Sequence, residues 1–317
     1  MSAPPDHTTL QAAGLFRVDG LVAVITGGGT GIGLTMARAL AANGARLVFI
    51  LGRRKDVLES AAAEANAHEK RDVLVPVVCD VGDKASLQAS VDTVTSHLSS
   101  LNLEEVGVNL VIANAGVLGP LKPRYDPSGL ATAADLRQRM FVDADMADMT
   151  QAFHINVTGT FFTAMAYLEL LDQGNRYVQS APLTAAVSRN TQSQVVVTSS
   201  ISAFMRGPQS TPSYIGSKAA ILQLTKQLAG MLSPYRIRAN ALAPGLFPTE
   251  LATVLTNGRE PENEGYEHPA FIPARRFGTD SDMAGTILYL ASSAGGFCNG
   301  LTLVVDGGRL AVATGNY

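Results

Sequence analysis

The chain has 317 residues, 46% of them hydrophobic and 16% charged, a composition that fits one globular domain with a large core. A formal net charge of −3 leaves no basic excess to neutralise phosphates and argues against nucleic acid as the main partner. Two cysteines, Cys79 and Cys298, are too few for a disulfide framework, and their apolar surroundings read as buried thiols in a reducing compartment.

The opening "MSAPPDHTTLQAAG" lacks the basic and apolar regions of a secretory signal. It reads as a flexible arm over residues 1–15, with one folded domain over 16–317. "LVAVIT" (21–26) is an apolar run of strand length, followed by a glycine cluster and "IGLTMARALAANG". In that segment Ile32, Met36, Ala37 and Leu40 recur at helical spacing, and Gly44 is placed to end the helix. The alternation continues with strands at 46–51, 73–79, in "NLVIANAG", and at 194–199, 236–242 and "LTLVVDGG". Between them lie helical patterns, including a long one over 145–171, one over 212–231 and one over 282–291. The short runs are apolar on both faces, as parallel strands covered by helices on both sides must be. The expected fold class is therefore α/β, a doubly wound parallel sheet. No run is long enough to span a bilayer, and cytoplasm is the expected compartment.

Two segments break the rhythm, 117–144 and 246–273. Each follows an expected strand, and ligands of open α/β sheets bind beyond the carboxyl ends of strands. They are the expected substrate loop and lid.

"TGGGTGIG" (26–33) stands between the first strand and the first helix. Gly27 permits a sharp turn, Gly31 lets backbone approach a pyrophosphate, and Gly33 lets helix pack closely on strand. The N–H groups at Thr30, Ile32 and their neighbours open the helix and favour phosphate. A glycine trio in this context signals a dinucleotide site. The second strand ends "FILGRRK", placing Arg53 and Arg54 where NAD binders usually carry an acid. Guanidinium suits a 2′-phosphate, so NADP(H) is the expected cofactor.

"YIGSK" sets Tyr214 and Lys218 one helical turn apart on one face. With the glycine motif and "NAG" (Asn114, Ala115, Gly116) in this order, the sequence resembles the short-chain dehydrogenase/reductase family over 16–309. "CDV" (79–81), "HINVTG" (154–159), "VVVTSS", "NALAPG" (240–245) and the closing "VDGG" extend the resemblance, and the expanded loops look like those of fungal members.

The resemblance implies a Rossmann-type single domain and an oxidoreductase that reduces a ketone or aldehyde carbonyl of a small organic substrate, reversibly. Tyr214 would give the proton, and Lys218 would lower a phenol pKa that is otherwise about 10 and bind the nicotinamide ribose. Asn156 would hold a relay water, and a serine at the end of "VVVTSS" would polarise the carbonyl. The family spacing places that serine at Ile201; Ser200 lies one residue upstream, Ser202 one downstream, and Ser199 is adjacent. Alignment from the strand favours Ser200, with Ser199 and Ser202 remaining open. The cofactor would also meet Asp80 and Val81 at its adenine end, Asn114, Ala115 and Gly116 centrally, and Pro244, Gly245 and Thr249 at the nicotinamide. No residue cluster suggests a metal. A homotetramer, or a homodimer, is the implied assembly. Epimerisation, cyclisation or cofactor sensing are the rival outcomes of the same scaffold.

Overall fold

The computed structural model describes residues 11–119, 132–180, 192–206 and 211–313. The first ten residues of the expected arm lie outside this set, as does 120–131 of the expected substrate loop. Among the described residues, seven parallel strands form one sheet in the order β3-β2-β1-β4-β5-β6-β7. They are β1 (Val22–Thr26), β2 (Leu47–Gly52), β3 (Leu74–Val78), β4 (Leu110–Ala113), β5 (Gln194–Thr198), β6 (Arg238–Pro244) and β7 (Thr302–Val305). The chain is a single doubly wound α/β domain. Its order reverses between β1 and β4, the place where such sheets open a ligand crevice.

The period of two along each strand divides the core. Ala23, Ile25, Val48, Ile50 and Val196 point into one layer with Met36, Leu40 and Ile287. Val22, Val24, Phe49, Leu51, Val195 and Val197 point into the other with Leu98, Tyr167 and Leu228. Helices α1 (Gly31–Ala42) and α2 (Lys55–Glu69) cover the first face with α8 (Asp280–Ala291). Helices α3 (Lys84–Ser100), α5 (Thr160–Ala166), α6 (Leu168–Ser180) and α7 (Pro212–Met231) cover the second. Among the described residues no helix is long and apolar enough to cross a membrane.

One expected element is different. The pattern over 145–171 suggests a continuous helix, whereas the structure has α4 (Met146–Phe153), a π-helical turn at His154–Gly159, α5, and a break at Tyr167 before α6. The π turn packs Gly159 against the Val81 carbonyl, 2.9 Å from where a Cβ would stand. It also turns Asn156 into the interior, where it is fully buried. Hydrophobic spacing read over the whole segment averages across such a bulge, because it is confined to a single turn inside a helical stretch.

Candidate active site

Strand β1 ends in the glycine turn, and each glycine there answers a different contact. Gly27 and Gly31 have φ of 66° and 53°, a region costly for residues with a Cβ. A Cβ on Gly33 would stand 2.1 Å from the Gly27 carbonyl oxygen, so helix α1 can approach the strand only because that atom is missing. Thr30 precedes α1 without a side-chain cap hydrogen bond, leaving the first-turn N–H groups open toward the crevice. The turn is fastened to β4 by Thr26, whose Oγ1 accepts from the N–H of Asn114 and of Ala115, both at 3.0 Å. Asn114 Nδ2 donates back to the Thr26 carbonyl at 3.1 Å.

A cavity of about 840 Å³ runs from this turn along the carboxyl ends of the strands. Gly27, Thr30, Gly31, Ile32, Gly33, Arg53, Arg54 and Val81 line it, as do Asn114, Ala115, Gly116, Pro244, Gly245 and Thr249. These residues fit a dinucleotide. The glycines supply backbone close to the cavity, the helix start supplies open N–H groups, and Thr198 Oγ1 is buried at the wall with no hydrogen-bond partner among the described residues.

Asp80 is placed differently from the expectation. It does not line the cavity, and its Oδ1 accepts the N–H of Gly82 at 2.9 Å. A short acidic side chain after a strand readily closes its own Asx turn in this way. Thr249 reaches the wall, but its hydroxyl accepts from the Ala252 N–H at 3.2 Å. The two arginines also differ. Arg54 Nη2 pairs with Glu250 of the 246–273 segment at 2.9 Å, while exposed Arg53 makes no hydrogen bond or ion pair among the described residues.

Ser200, Tyr214 and Lys218 share the same cavity wall. Strand β5 delivers the serines and the N-terminal half of α7 delivers the other two. Helix α7 opens with Thr211 as its cap, accepting from the Tyr214 N–H, and with Pro212 at its first position. The three serines separate by contact. Ser199 Oγ donates to the Lys218 carbonyl at 2.7 Å and fastens strand to helix. Ser200 Oγ accepts from the Ser202 N–H at 3.1 Å and is near enough to the Tyr214 phenol to act on its titration.

Burial pushes the Tyr214 phenol above its ordinary pKa, and Ser200 pulls it part of the way back. The shift therefore runs opposite to the lowering expected from Lys218, which does not figure among its causes. The ammonium lies 5.7 Å from the phenol ring centroid and donates to the Thr198 carbonyl at 2.8 Å. Burial also brings Lys218 itself down to about 8, because the interior solvates an ammonium poorly.

Asn156 is tied to protein on every side-chain atom. Its Oδ1 accepts from the Val117 N–H at 2.8 Å, and Nδ2 donates to the Val117 carbonyl and to Ser217 Oγ, both at 2.9 Å. It reaches the cavity only through Gly116, where a Cβ would stand 3.1 Å from Asn156 Oδ1 and 3.3 Å from Lys218 Nζ. The segment 207–210, which carries the spacing between Ser200 and Tyr214, lies outside the described residues.

The 246–273 segment contributes side chains that sequence reasoning did not single out. Glu250, Arg259 and His268 line the cavity, and so does Arg309 beyond β7. A charged residue in a loop carries no sequence signal of facing inward, so only packing finds these four.

A family model described as enoyl-(acyl carrier protein) reductase matches residues 27–309. The chain is 46% identical to short-chain dehydrogenase/reductase SAT3 of Stachybotrys chartarum, over 89% of this chain and 100% of that one. This chain belongs to the short-chain dehydrogenase/reductase family. It is also 41% identical to short-chain dehydrogenase/reductase PhomF of Diaporthe leptostromiformis, over 98% of both chains. Among solved structures, a gluconate 5-dehydrogenase from Burkholderia cenocepacia in complex with NADP and tartrate superposes with a TM-score of 0.70 at 27% identity. That match covers 95% of this chain and 99% of the other. The chain is therefore an oxidoreductase of fungal short-chain type, from a family that works with nicotinamide cofactors on alcohols and carbonyls.

Proposed function

We propose that the protein is an NADPH-dependent carbonyl reductase that converts a ketone or aldehyde of a small organic molecule to the alcohol, reversibly. The observation that carries this reading is that Ser200, Tyr214 and Lys218 open onto the same cavity as the glycine turn. When bound, NADPH supplies the hydride. Ser200 donates its hydroxyl proton to the carbonyl oxygen as a hydrogen bond, and Tyr214 gives that oxygen its proton. Lys218 has three donors. One is held by the Thr198 carbonyl, leaving two for the nicotinamide ribose and for a proton path. Asn156 acts in this scheme by holding the Val117 backbone and Gly116 against Lys218, with one lone pair of Oδ1 left for a relay water.

NADPH is preferred in this reading because Arg53 faces the cavity unpaired while no acid follows β2. Arg54 joins once it leaves Glu250. The solved relative holds NADP, which agrees. A cytoplasmic home belongs to the same reading, in keeping with unpaired Cys79 and Cys298. So does a homo-oligomer, tetramer or dimer, formed through the helices around Asn156 and Tyr214.

The test is carbonyl-dependent oxidation of NADPH over a substrate panel. Tyr214→Phe is expected to lose about 10²–10⁴-fold in kcat, the usual worth of a general acid, with NADPH binding retained. Arg53→Ala is expected to weaken NADPH about tenfold or more while leaving NADH little changed, since a charged hydrogen bond is worth about 1.5–3 kcal/mol. Full turnover in Tyr214→Phe would remove the mechanism, and a native preference for NADH would remove the phosphate reading.

A further inference from the structure

Among the described residues, Glu250 is the only carboxylate that lines the cavity. It belongs to the 246–273 segment, 196 positions along the chain from Arg54, and its Oε2 accepts from Arg54 Nη2 at 2.9 Å. Arg54 is one of the two arginines to which the cofactor reading gives a 2′-phosphate. An anion of the protein therefore already stands where an anion of the cofactor is expected.

The position of Glu250 does not depend on that pair. Thr249 packs on the glycine turn, its Cγ2 lying 3.0 Å from where a Cβ on Gly31 would stand. The residues after it close a turn of their own. The Thr249 carbonyl accepts from the Ala252 N–H at 3.0 Å and from the Thr253 hydroxyl at 3.1 Å. Backbone thus holds the carboxylate against the β2 side of the cavity.

Arg54 is fixed as firmly at its root. It caps α2, where its carbonyl accepts from the Leu58 N–H at 3.1 Å. Lys55 turns along that helix toward Glu59, at 3.6 Å, and does not line the cavity. The cavity-lining cations after β2 are therefore Arg53 and Arg54, and the second is engaged.

Arg54 has further N–H donors. Using them would set a phosphate beside the Glu250 carboxylate, and like charges at contact distance repel. The alternative is to displace Glu250 and give up the ion pair. Either course costs NADPH binding energy, and a cofactor with a 2′-hydroxyl meets neither cost.

Resting on the NADPH reading above, we propose that Glu250 is a specificity-determining residue, which opposes the 2′-phosphate at Arg54 and narrows the preference for NADPH over NADH. NADP⁺ carries the same phosphate, so the same opposition speeds its release, since affinity differences within one site lie mostly in the off-rate.

Fluorescence titration with NADPH and with NADH at low salt tests this. Glu250→Gln is expected to tighten NADPH about two- to fivefold, the range set by giving up an exposed ion pair, and to move NADH by less than about twofold. Glu250→Lys should tighten NADPH further, and Glu250→Asp, which keeps the charge, should gain less than Glu250→Gln. The gains should shrink as salt is raised, because both side chains of the pair are more than half exposed. A wild-type melting temperature shows that each variant is folded.

NADPH affinity unmoved or weakened in Glu250→Gln, or a gain shared equally by NADH, would overturn the proposal. Arg53→Ala separates that failure from a failure of the reading beneath it. If Arg53→Ala still weakens NADPH, the phosphate reading stands and only the role of Glu250 falls. If wild type prefers NADH and Arg53→Ala changes nothing, the phosphate reading falls and takes the role of Glu250 with it.

Discussion

Lys218 is 3% exposed, and its ammonium titrates at about 8 rather than 10.5 because burial disfavours the charge. Tyr214 is shifted the other way, upward. In the reducing direction the reaction needs a charged Lys218 and a protonated Tyr214. The first of these is lost as pH rises through about 8, so kcat/KM for reduction should fall above that pH. A pH–rate profile flat to pH 10 would contradict the role given to Lys218. The stability effect has its own sign. Between about 8 and 10.5 the native protein binds fewer protons at this site than the unfolded chain does. Stability therefore rises with pH across that window, and below it the buried charge costs its full amount. Lys218→Met should accordingly raise cofactor-free stability at pH 7 by roughly 1–3 kcal/mol, less than the full shift because the Thr198 carbonyl loses its donor. Thermal melting reads the gain, and the same variant should be inactive.

At this scale the sequence placed Tyr214 and Lys218 on one face, since a spacing of four does so in any helix. It gave the wrong direction for the Tyr214 shift, downward where burial drives it upward, because that depends on how much water the fold excludes. Nor did it show Asp80 closing its own turn or Glu250 reaching Arg54, because both are choices among acceptors made by loop geometry.

At the scale of elements, the turn between β1 and α1 carries the tightest steric demand in the fold. Gly33→Ala would put a Cβ 2.1 Å from the Gly27 oxygen and 2.6 Å from Asn114 Nδ2. Backbone cannot yield as a side-chain tip does, so α1 must lift from the strand. A loss of about 1–3 kcal/mol in stability is expected, together with weaker NADPH binding as the N–H groups move from their positions. Gly230, near the end of α7, has nothing within 4 Å of its missing Cβ. Gly230→Ala should instead gain about 0.5–1 kcal/mol, from helix propensity alone. Denaturant melts and fluorescence titration of the two variants give a direct contrast, and equal effects would refute the steric account. The glycine pattern was legible because its strand and helix flanks were. The π turn at His154–Gly159 was not, and the single helix expected over 145–171 is divided there. The bulge is set by what Asn156 and Gly159 must meet across the core, namely Val117, Ser217 and Val81.

For the molecule as a whole, the helices beside the candidate active site leave apolar side chains in solvent. Met146 is 85% exposed, and Met149, Phe153 and Phe162 are more than a third exposed. Single exposed apolar residues are ordinary, but a group on neighbouring helices is the mark of a covered face. We place the homo-oligomer of the proposed function on this face. Sedimentation velocity is expected to show a dimer or tetramer, and Met146→Asp with Phe162→Asp to shift it toward the monomer. A wild-type chain that sediments as a monomer would remove the assembly.

The sequence by itself determined the α/β architecture, since runs of both-face apolar strands alternating with amphipathic helices admit few other arrangements. It determined the family too, and it located the glycine turn and the Tyr214–Lys218 pair, because those signals are local and depend only on spacing. Tertiary structure decided what spacing does not encode. It separated Ser199, which ties strand to helix, from Ser200, which reaches Tyr214. It set the burial that moves both titrating groups, and it brought Arg259 and Arg309, fifty residues apart in the chain, onto one carbonyl oxygen. These are meetings between distant segments, and the free energy that selects them comes from packing the whole core.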